Sequence, residues 1–417
     1  MSSSTFEEYL GKVIANVKSK QAHSMIKKEL SNHLEELSHS FQKRGLSIED
    51  ANKKAMQEMG DPSTVGRNMN QLHKPRMDWL LIALFILLAG ISFLPIIGDV
   101  VASNSSFMKK QIVWLAIAVL ALIGFLFFDY RKLKDLWMYF YAAALILFFT
   151  TFLVGIPLTG GGRWMSLWGI AIDSPAISLF LFFIAWAGIF TKANAFKGWK
   201  KQVVLLILFW VPVISYIIIN RFVFSIMYFL CCVLVMYIFY YRHNRFAIKV
   251  ALGNLLVGVI FISTMILKYP SSYLPDTSIP LKDILSKAGW FGKGLHNNLV
   301  LPEAHTDFVF PFLVYSLGWV FGISLCLLLV VFILRISRNA FKTKDLFGRL
   351  LTIGGAVLFT VPACWNILMG LGIVPIMVVP LPFISYGGSM LLVYAALLGL
   401  ILNVYRRKDI VESTLVN

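Results

Sequence analysis

Charge is what this sequence has least of. Only 14% of its 417 residues are Asp, Glu, Lys or Arg, where a soluble chain carries about 25%. Long stretches hold none at all, which excludes an ordinary soluble globule. Acids are scarcer than bases, 21 against 38, and the net charge is +17. That excess does not point to nucleic acid, because the basic residues form short clusters between apolar runs rather than a stripe or a nucleic-acid motif. Cysteine is also rare. Cys231, Cys232, Cys326 and Cys364 all fall in apolar runs, which gives neither a disulfide framework nor a zinc spacing. The opening of a cleavable signal peptide is missing too, since residues 1–76 are polar and carry both charge signs. The first apolar run is therefore expected to act as an uncleaved membrane signal.

What the sequence does have is apolar length, with 58% hydrophobic residues. Runs long enough to cross a hydrocarbon core of about 30 Å lie near 78–97, 111–128, 136–157, 176–191, 203–220, 222–240, 248–267, 308–334, 348–372 and 388–405. The expected class is all-α, a polytopic membrane protein of about ten transmembrane helices behind a small cytosolic helical domain. The expected division is 1–76 as that domain, 77–408 as the membrane domain and 409–417 as a cytosolic tail.

Loop charge predicts the orientation. Alternate loops collect Arg131, Lys132 and Lys134; Lys192, Lys197, Lys200 and Lys201; Arg242, Arg245 and Lys249; Arg335, Arg338, Lys342, Lys344 and Arg349; and Arg406, Arg407 and Lys408. The opposite loops hold Lys109 and Lys110, Arg163 alone, Arg221 alone, four lysines in one long loop, and no charge between 373 and 387. Positive loops stay on the side from which insertion occurs, so both termini are expected in the cytosol. The clusters also suit anionic lipid.

Residues 1–76 carry local helix signals. Ser47-Ile48-Glu49-Asp50 has a capping-box pattern, Gly60 can end the helix it starts, and Asp61-Pro62 offers a cap and first-turn proline for another. Ile26, Leu30, Leu34, Leu37 and Phe41 make one helical stripe. Three or four short packed helices are expected. The segment resembles the helical prefix domain that precedes some bacterial permease-like membrane proteins.

Two outward segments differ from ordinary connectors. The loop of about forty residues from Lys268 to Asp307 is long for a compact membrane domain and so functional by expectation. The stretch Val379-Pro380-Leu381-Pro382-Phe383-Ile384-Ser385-Tyr386-Gly387-Gly388-Ser389 is rich in Pro and Gly yet apolar. Non-helical backbone at that depth survives only against protein or a water-filled cavity. Asp307, with Glu303 and His305 near it, stands where an apolar run begins. An ionisable group there is costly and tends to be functional. Equally, an Asp before Phe308-Val309-Phe310 could simply cap a helix.

Lys293-Gly294, Leu301-Pro302-Glu303, His305-Thr306-Asp307-Phe308 and Pro380 through Ser389 together resemble the signature regions of the SEDS family (FtsW/RodA/SpoVE) across roughly residues 77–408. Asn366 and Gly372 fall where that family's ninth span carries Asn and Gly. The resemblance implies polymerisation of lipid II, the undecaprenyl-linked disaccharide peptide, into peptidoglycan glycan strands for cell shape or division, with a single-span penicillin-binding transpeptidase as partner. It implies Asp307 as the essential catalytic residue, a base toward the attacking sugar hydroxyl. The leaving lipid pyrophosphate needs cations, for which Arg163, Lys287 and Lys293 are candidates. Arg163-Trp164 matches the family's Arg-Trp pair. Trp164, His305, Glu303, Ser385, Tyr386, Gly387 and Gly388 complete the expected substrate-binding set. No metal-ligand spacing is visible, so no cofactor is expected, although a divalent cation could enter with pyrophosphate.

The sequence departs from the family in three places. Asp173-Ser174-Pro175-Ala176, then Leu179, stand where the family has Gln-Pro-Ser-Glu and a following Lys. Asn220-Arg221-Phe222 replaces Gln-Pro-Asp-Leu-Gly, and Tyr315-Ser316-Leu317-Gly318 replaces Glu-Glu-Leu-Gly. Asp173 is a candidate substitute for the lost acid. The departures keep a non-catalytic, regulatory paralogue open as an alternative, alongside a flippase for the lipid-linked precursor. The ionisable residues gather at one face and leave the spans nearly charge-free, which favours surface chemistry over a translocation path.

Overall fold

The computed structural model describes residues 2–98, 105–157, 163–167, 170–192, 199–219, 221–230, 256, 258–260, 263, 281–295, 299, 301–374 and 376–408. The chain divides into a smaller unit of Met1–Met77, Thr343–Asp345 and Tyr405–Asn417, and a larger one of Asp78–Lys342 and Leu346–Val404.

The smaller unit contains four helices, α1 (Ser2–Ala15), α2 (His23–Lys43), α3 (Ile48–Met59) and α4 (Pro62–Leu72). Their boundaries follow local chemistry. Ser47 Oγ accepts from the Asp50 N–H at 3.2 Å and starts α3. Gly60, at φ 92°, ends α3, and Asp61 caps α4 with Pro62 in its first turn. The α2 stripe is its core face: Ile26, Leu30, Leu34 and Phe41 are buried with Leu10, Val13, Ala51 and Ala55, and Leu37 packs at the edge. Each such aliphatic side chain contributes about 1.5–3 kcal/mol when fully buried. Ser38 donates to Asn52 at 2.6 Å inside this core, so its buried polar groups are paired.

Seven helices among the described residues are long and apolar enough to cross a membrane: Trp79–Gly98, Ser106–Phe127, Tyr130–Val154, Ser174–Thr191, Val309–Lys342, Leu346–Gly370 and Gly388–Arg406. A shorter apolar helix covers Val203–Ile218. The expected run at 222–240 is described only to residue 230, and that at 248–267 lies almost wholly outside the described residues. Ile86, Leu120, Ile146, Leu327 and Leu334 are exposed, as side chains meeting hydrocarbon should be. Ser174–Thr191 and Gly388–Arg406 are instead almost entirely enclosed, which makes them the inner helices.

Two boundaries differ from those read off the sequence. The second span begins at Ser105 rather than near 111, so Lys109 and Lys110 lie on the helix, exposed, while Gln111 turns inward to donate to Ser92 at 3.2 Å. The helix from Val309 runs on to Lys342. Its polar end is held by Asp78, which accepts from Arg335 Nε at 2.8 Å and Asn339 Nδ2 at 2.7 Å. Asp78 also caps the first span, accepting from the Leu81 N–H at 3.2 Å, so one buried carboxylate joins two helix ends.

A small sheet was not anticipated. β1 (Ile156–Pro157), β2 (Arg163–Leu167) and β3 (Ile170–Ile172) form an antiparallel meander that leads directly into the span at Ser174. A second irregularity lies within Val309–Lys342, where Gly318 takes φ 88° and ψ 171°. The break frees backbone groups that must be satisfied within the protein, and residues 289–294 satisfy them. Lys293 N–H donates to the Tyr315 carbonyl at 3.0 Å and Gly294 N–H to Ser316 at 2.9 Å; Trp319 and Val320 N–H donate back to Gly289 and Trp290 at 3.1 and 3.2 Å. Glycine is required on both sides, since a Cβ on Gly318 would lie 2.2 Å from the Trp290 carbonyl oxygen and one on Gly292 2.3 Å from that of Ser316.

Candidate active site

The site grows from two irregular segments locked together by hydrogen bonds. The first runs through Glu303, His305 and Asp307 to the helix beginning at Val309. The second is the Pro/Ser/Gly stretch that leads into the last span. Ser385 is buried; its hydroxyl donates to the Thr306 carbonyl at 2.6 Å and accepts from the Leu381 N–H at 2.7 Å. Tyr386 N–H donates to the His305 carbonyl at 2.7 Å. From the next helix, Asn366 Nδ2 donates to the Asp307 carbonyl at 2.8 Å and to the Val379 carbonyl at 2.6 Å. Two side chains, Ser385 and Asn366, and the Tyr386 main-chain N–H therefore fix where the Asp307 main chain stands.

Each segment contains one non-glycine residue in the left-handed region, Glu303 at φ 53° and Phe383 at φ 64°. Such residues persist only where the surroundings over-determine them, and they collect at functional sites. Phe383 is held by rings: Phe85, Phe332, Phe359 and Tyr394 lie within 5.1–5.7 Å of its centroid.

Asp307 is half-buried, and its carboxylate accepts no hydrogen bond among the described residues. It is not a helix cap: the helix starts at Val309, and the preceding turn is closed by Phe308 N–H donating to the Glu303 carbonyl at 3.1 Å. Burial, then the Glu303 charge, push the Asp307 carboxyl up to about 7, against the pull of Arg221. Such a group changes charge near neutrality, where a carboxylate can take a proton and release it again.

Arg221 and Asp173 are the residues that sequence reasoning undervalued. Both are buried, with Arg221 Nη2 3.3 Å from Asp173 Oδ1. The guanidinium lies over Trp164 at 4.9 Å and Phe224 at 5.4 Å from the ring centroids. Asp173 caps the Ser174–Thr191 helix, and its N–H donates to Ser389 Oγ at 3.0 Å, so the last span is tied to the same place. Burial raises the Asp173 carboxyl despite the Arg221 charge and the Ala176 N–H. The signals were present: an arginine alone between two apolar runs, and an acid beside a lost motif.

The other expected residues divide. Trp164 joins the centre through Arg221. His305 is buried in a ring triad, 5.0 Å from Phe107 and 5.6 Å from Tyr386, with Phe107 and Tyr386 5.3 Å apart. Glu303 is exposed and accepts from the Thr306 hydroxyl at 2.7 Å. Arg163 turns instead to Phe152, donating to its carbonyl and covering its ring at 5.5 Å. Lys287 ends a short helix (Leu281–Lys287) and, like Lys293, is exposed. Gly388 opens the last span, where a Cβ would lie 2.1 Å from the Trp114 ring; Gly387 beside it is open. Among the described residues, no group of three His, Cys, Asp or Glu is placed to hold a metal. Cys326 and Cys364 are free thiols; Cys231 and Cys232 lie outside the described residues.

Apolar spans with Asp307 held half-buried between two irregular segments define a polytopic α-helical membrane protein. Residues 75–410 match the FtsW/RodA/SpoVE family, described as cell cycle protein, and the chain belongs to it. It is similar to the probable peptidoglycan glycosyltransferase FtsW of Nitrosomonas europaea, 25% identical over 391 residues covering 83% of this chain and 97% of that one. The FtsW of Trichlorobacter lovleyi is 37% identical over 130 residues, 30% of this chain and 34% of the relative, so that match spans about a third of its length. A solved chain from a peptidoglycan synthase complex that coordinates polymerization and crosslinking has the same fold, with a TM-score of 0.64 at 22% identity, covering 80% of this chain and 98% of that one.

Proposed function

We propose that this protein polymerises lipid II into peptidoglycan glycan strands at the outer face of the bacterial cytoplasmic membrane, with Asp307 as the general base. The observation that carries the reading is a half-buried carboxyl pushed up to about 7, with no hydrogen bond to its oxygens among the described residues, on a backbone that two loops hold in place. In the step, the acceptor hydroxyl oxygen forms a bond to the donor's anomeric carbon and its proton passes to Asp307. The bond from that carbon to the pyrophosphate oxygen breaks, and the pyrophosphate leaves with the electron pair and the lipid. Positioning and proton transfer of this kind account for much of the catalysis such sites supply.

The loop charges support cytosolic termini, a cytosolic helical domain over 1–76, a membrane domain over 77–408 and a cytosolic tail over 409–417. This orientation puts Asp307 on the outer side. The ring cluster of His305, Phe107 and Tyr386, close to Asp307 in the chain at His305, supports a role in holding a sugar face, and Glu303, Gly387 and Gly388 complete the substrate-binding set in this reading. Lys287 and Lys293 lie nearby in sequence as exposed charges suited to lipid phosphate. The partner supported by the family is a single-span penicillin-binding transpeptidase. Release of undecaprenyl pyrophosphate from lipid II by proteoliposomes, with and without that partner, tests the reading. Turnover by wild type that vanishes in Asp307→Ala is expected; equal turnover by both would overturn it.

A further inference from the structure

The step just described moves one negative charge. Asp307 loses it on accepting the proton, and the departing pyrophosphate gains it. A cation serving both ends would stabilise the transfer without any change in the net charge of the site. The cations named from the sequence suit this poorly: Lys287 and Lys293 are exposed, and Arg163 is occupied with Phe152. Arg221 differs from all three. It is 6% exposed, its Nε and Nη2 have no hydrogen-bond partner among the described residues, and its charge reaches Asp307.

Its setting is built to hold it still. Asp173 lies within 3.3 Å, too poorly aligned for a hydrogen bond, so the ion pair anchors the guanidinium while leaving donors uncommitted. Trp164 and Phe224 cover its faces, and its own N–H donates to the Tyr216 carbonyl at 2.8 Å. Buried N–H donors without acceptors are rare, because leaving one unpaired costs most of its desolvation energy. A planar fork of donors, anchored by Asp173 but not saturated by it, matches a phosphate oxygen.

We propose that Arg221 is the pyrophosphate subsite of this protein, a buried guanidinium held by Asp173, Trp164 and Phe224 whose uncommitted N–H groups take an oxygen of the leaving lipid pyrophosphate. The proposal rests on the polymerase reading for its place in the reaction, and on the buried guanidinium for its ligand class, a polyprenyl pyrophosphate. Asp173 and Trp164 then act as positioning residues for Arg221.

The test measures binding of farnesyl pyrophosphate and farnesyl monophosphate to the purified full chain in detergent. Wild type is expected to prefer the pyrophosphate over the monophosphate, and Asp307→Asn, which removes a negative charge coupled to Arg221, to bind it at least as tightly. Arg221→Gln should weaken it at least about tenfold, the scale of one charge-assisted hydrogen bond, and Arg221→Lys should recover part of that. Removing the guanidinium alone leaves the buried Asp173 without its counter-charge, so the double variant Arg221→Gln/Asp173→Asn keeps the measurement decisive if the single one does not fold. Unchanged pyrophosphate affinity in either folded variant overturns the proposal. If wild type binds through Arg221 but makes no glycan, the polymerase reading fails and the subsite stands. If glycan forms and affinity ignores Arg221, the subsite fails and the polymerase reading stands.

Discussion

Turnover should follow the ionisation of Asp307. Burial and the Glu303 charge hold its carboxyl up at about 7. A group with that value is roughly one-tenth ionised at about pH 6 and nine-tenths ionised at about pH 8, so a rate that needs the ionised base rises roughly ninefold between them. A carboxyl at its ordinary value near 4 would be ionised throughout, and the profile would be flat. The same shift sets a stability trend of known sign. The folded value is raised, so the neutral acid is the form that the fold favours. Its contribution is fully present below the unfolded value of 3.8 and is lost as pH rises to about 7, by at most about 4 kcal/mol. Asp307→Asn removes the ionisation, so it should unfold at a higher temperature than wild type at about pH 8, and the two should converge near pH 4. Initial rates of glycan formation and unfolding midpoints across this range check both parts. A flat rate between about pH 6 and pH 8, or a midpoint gap that ignores pH, would refute the reasoning.

Glu303→Gln takes away a like charge, so the acidic limb of the rate profile should move to lower pH, whereas Arg221→Gln should move it higher; pH profiles of the two variants read this directly. Asn366→Ala leaves the Asp307 and Val379 carbonyls without their donor, at about 1–3 kcal/mol for each unsatisfied group, and should lower both the unfolding midpoint and kcat. Gly318→Ala places a Cβ 2.2 Å from the Trp290 carbonyl at φ 88°. It should release residues 289–294 from the broken helix, seen as faster amide exchange at Lys293 and Gly294, at a cost of roughly 1–3 kcal/mol.

What was legible in the sequence was local or long. Ser47, Gly60 and Asp61 act on their own neighbours, so their pattern fixes the helix ends without help from the rest of the chain. The described spans were readable because some twenty apolar residues have few other uses. The strands Ile156–Pro157, Arg163–Leu167 and Ile170–Ile172 were not, since so short a meander is held by pairing between segments rather than by a periodic run. The break at Gly318 was hidden for a similar reason: one glycine in an apolar run looks tolerated, and only the docked residues 289–294 show why it is needed. The Asp307 main chain could be located from its motif, but whether the side chain caps a helix depended on where the first turn closes. Arg221 and Asp173 are 48 residues apart in the numbering; no local pattern couples them, and folding alone puts the guanidinium between Asp173 and Trp164.

The measurement that bears most directly on the central claim is glycan strand synthesis from lipid II by the purified full chain at about pH 8, comparing wild type with Asp307→Asn. Strands from wild type and none from a variant that is folded, and more heat-stable than wild type, are the predicted result. Strands of equal yield from both would contradict the assignment of Asp307 as the base.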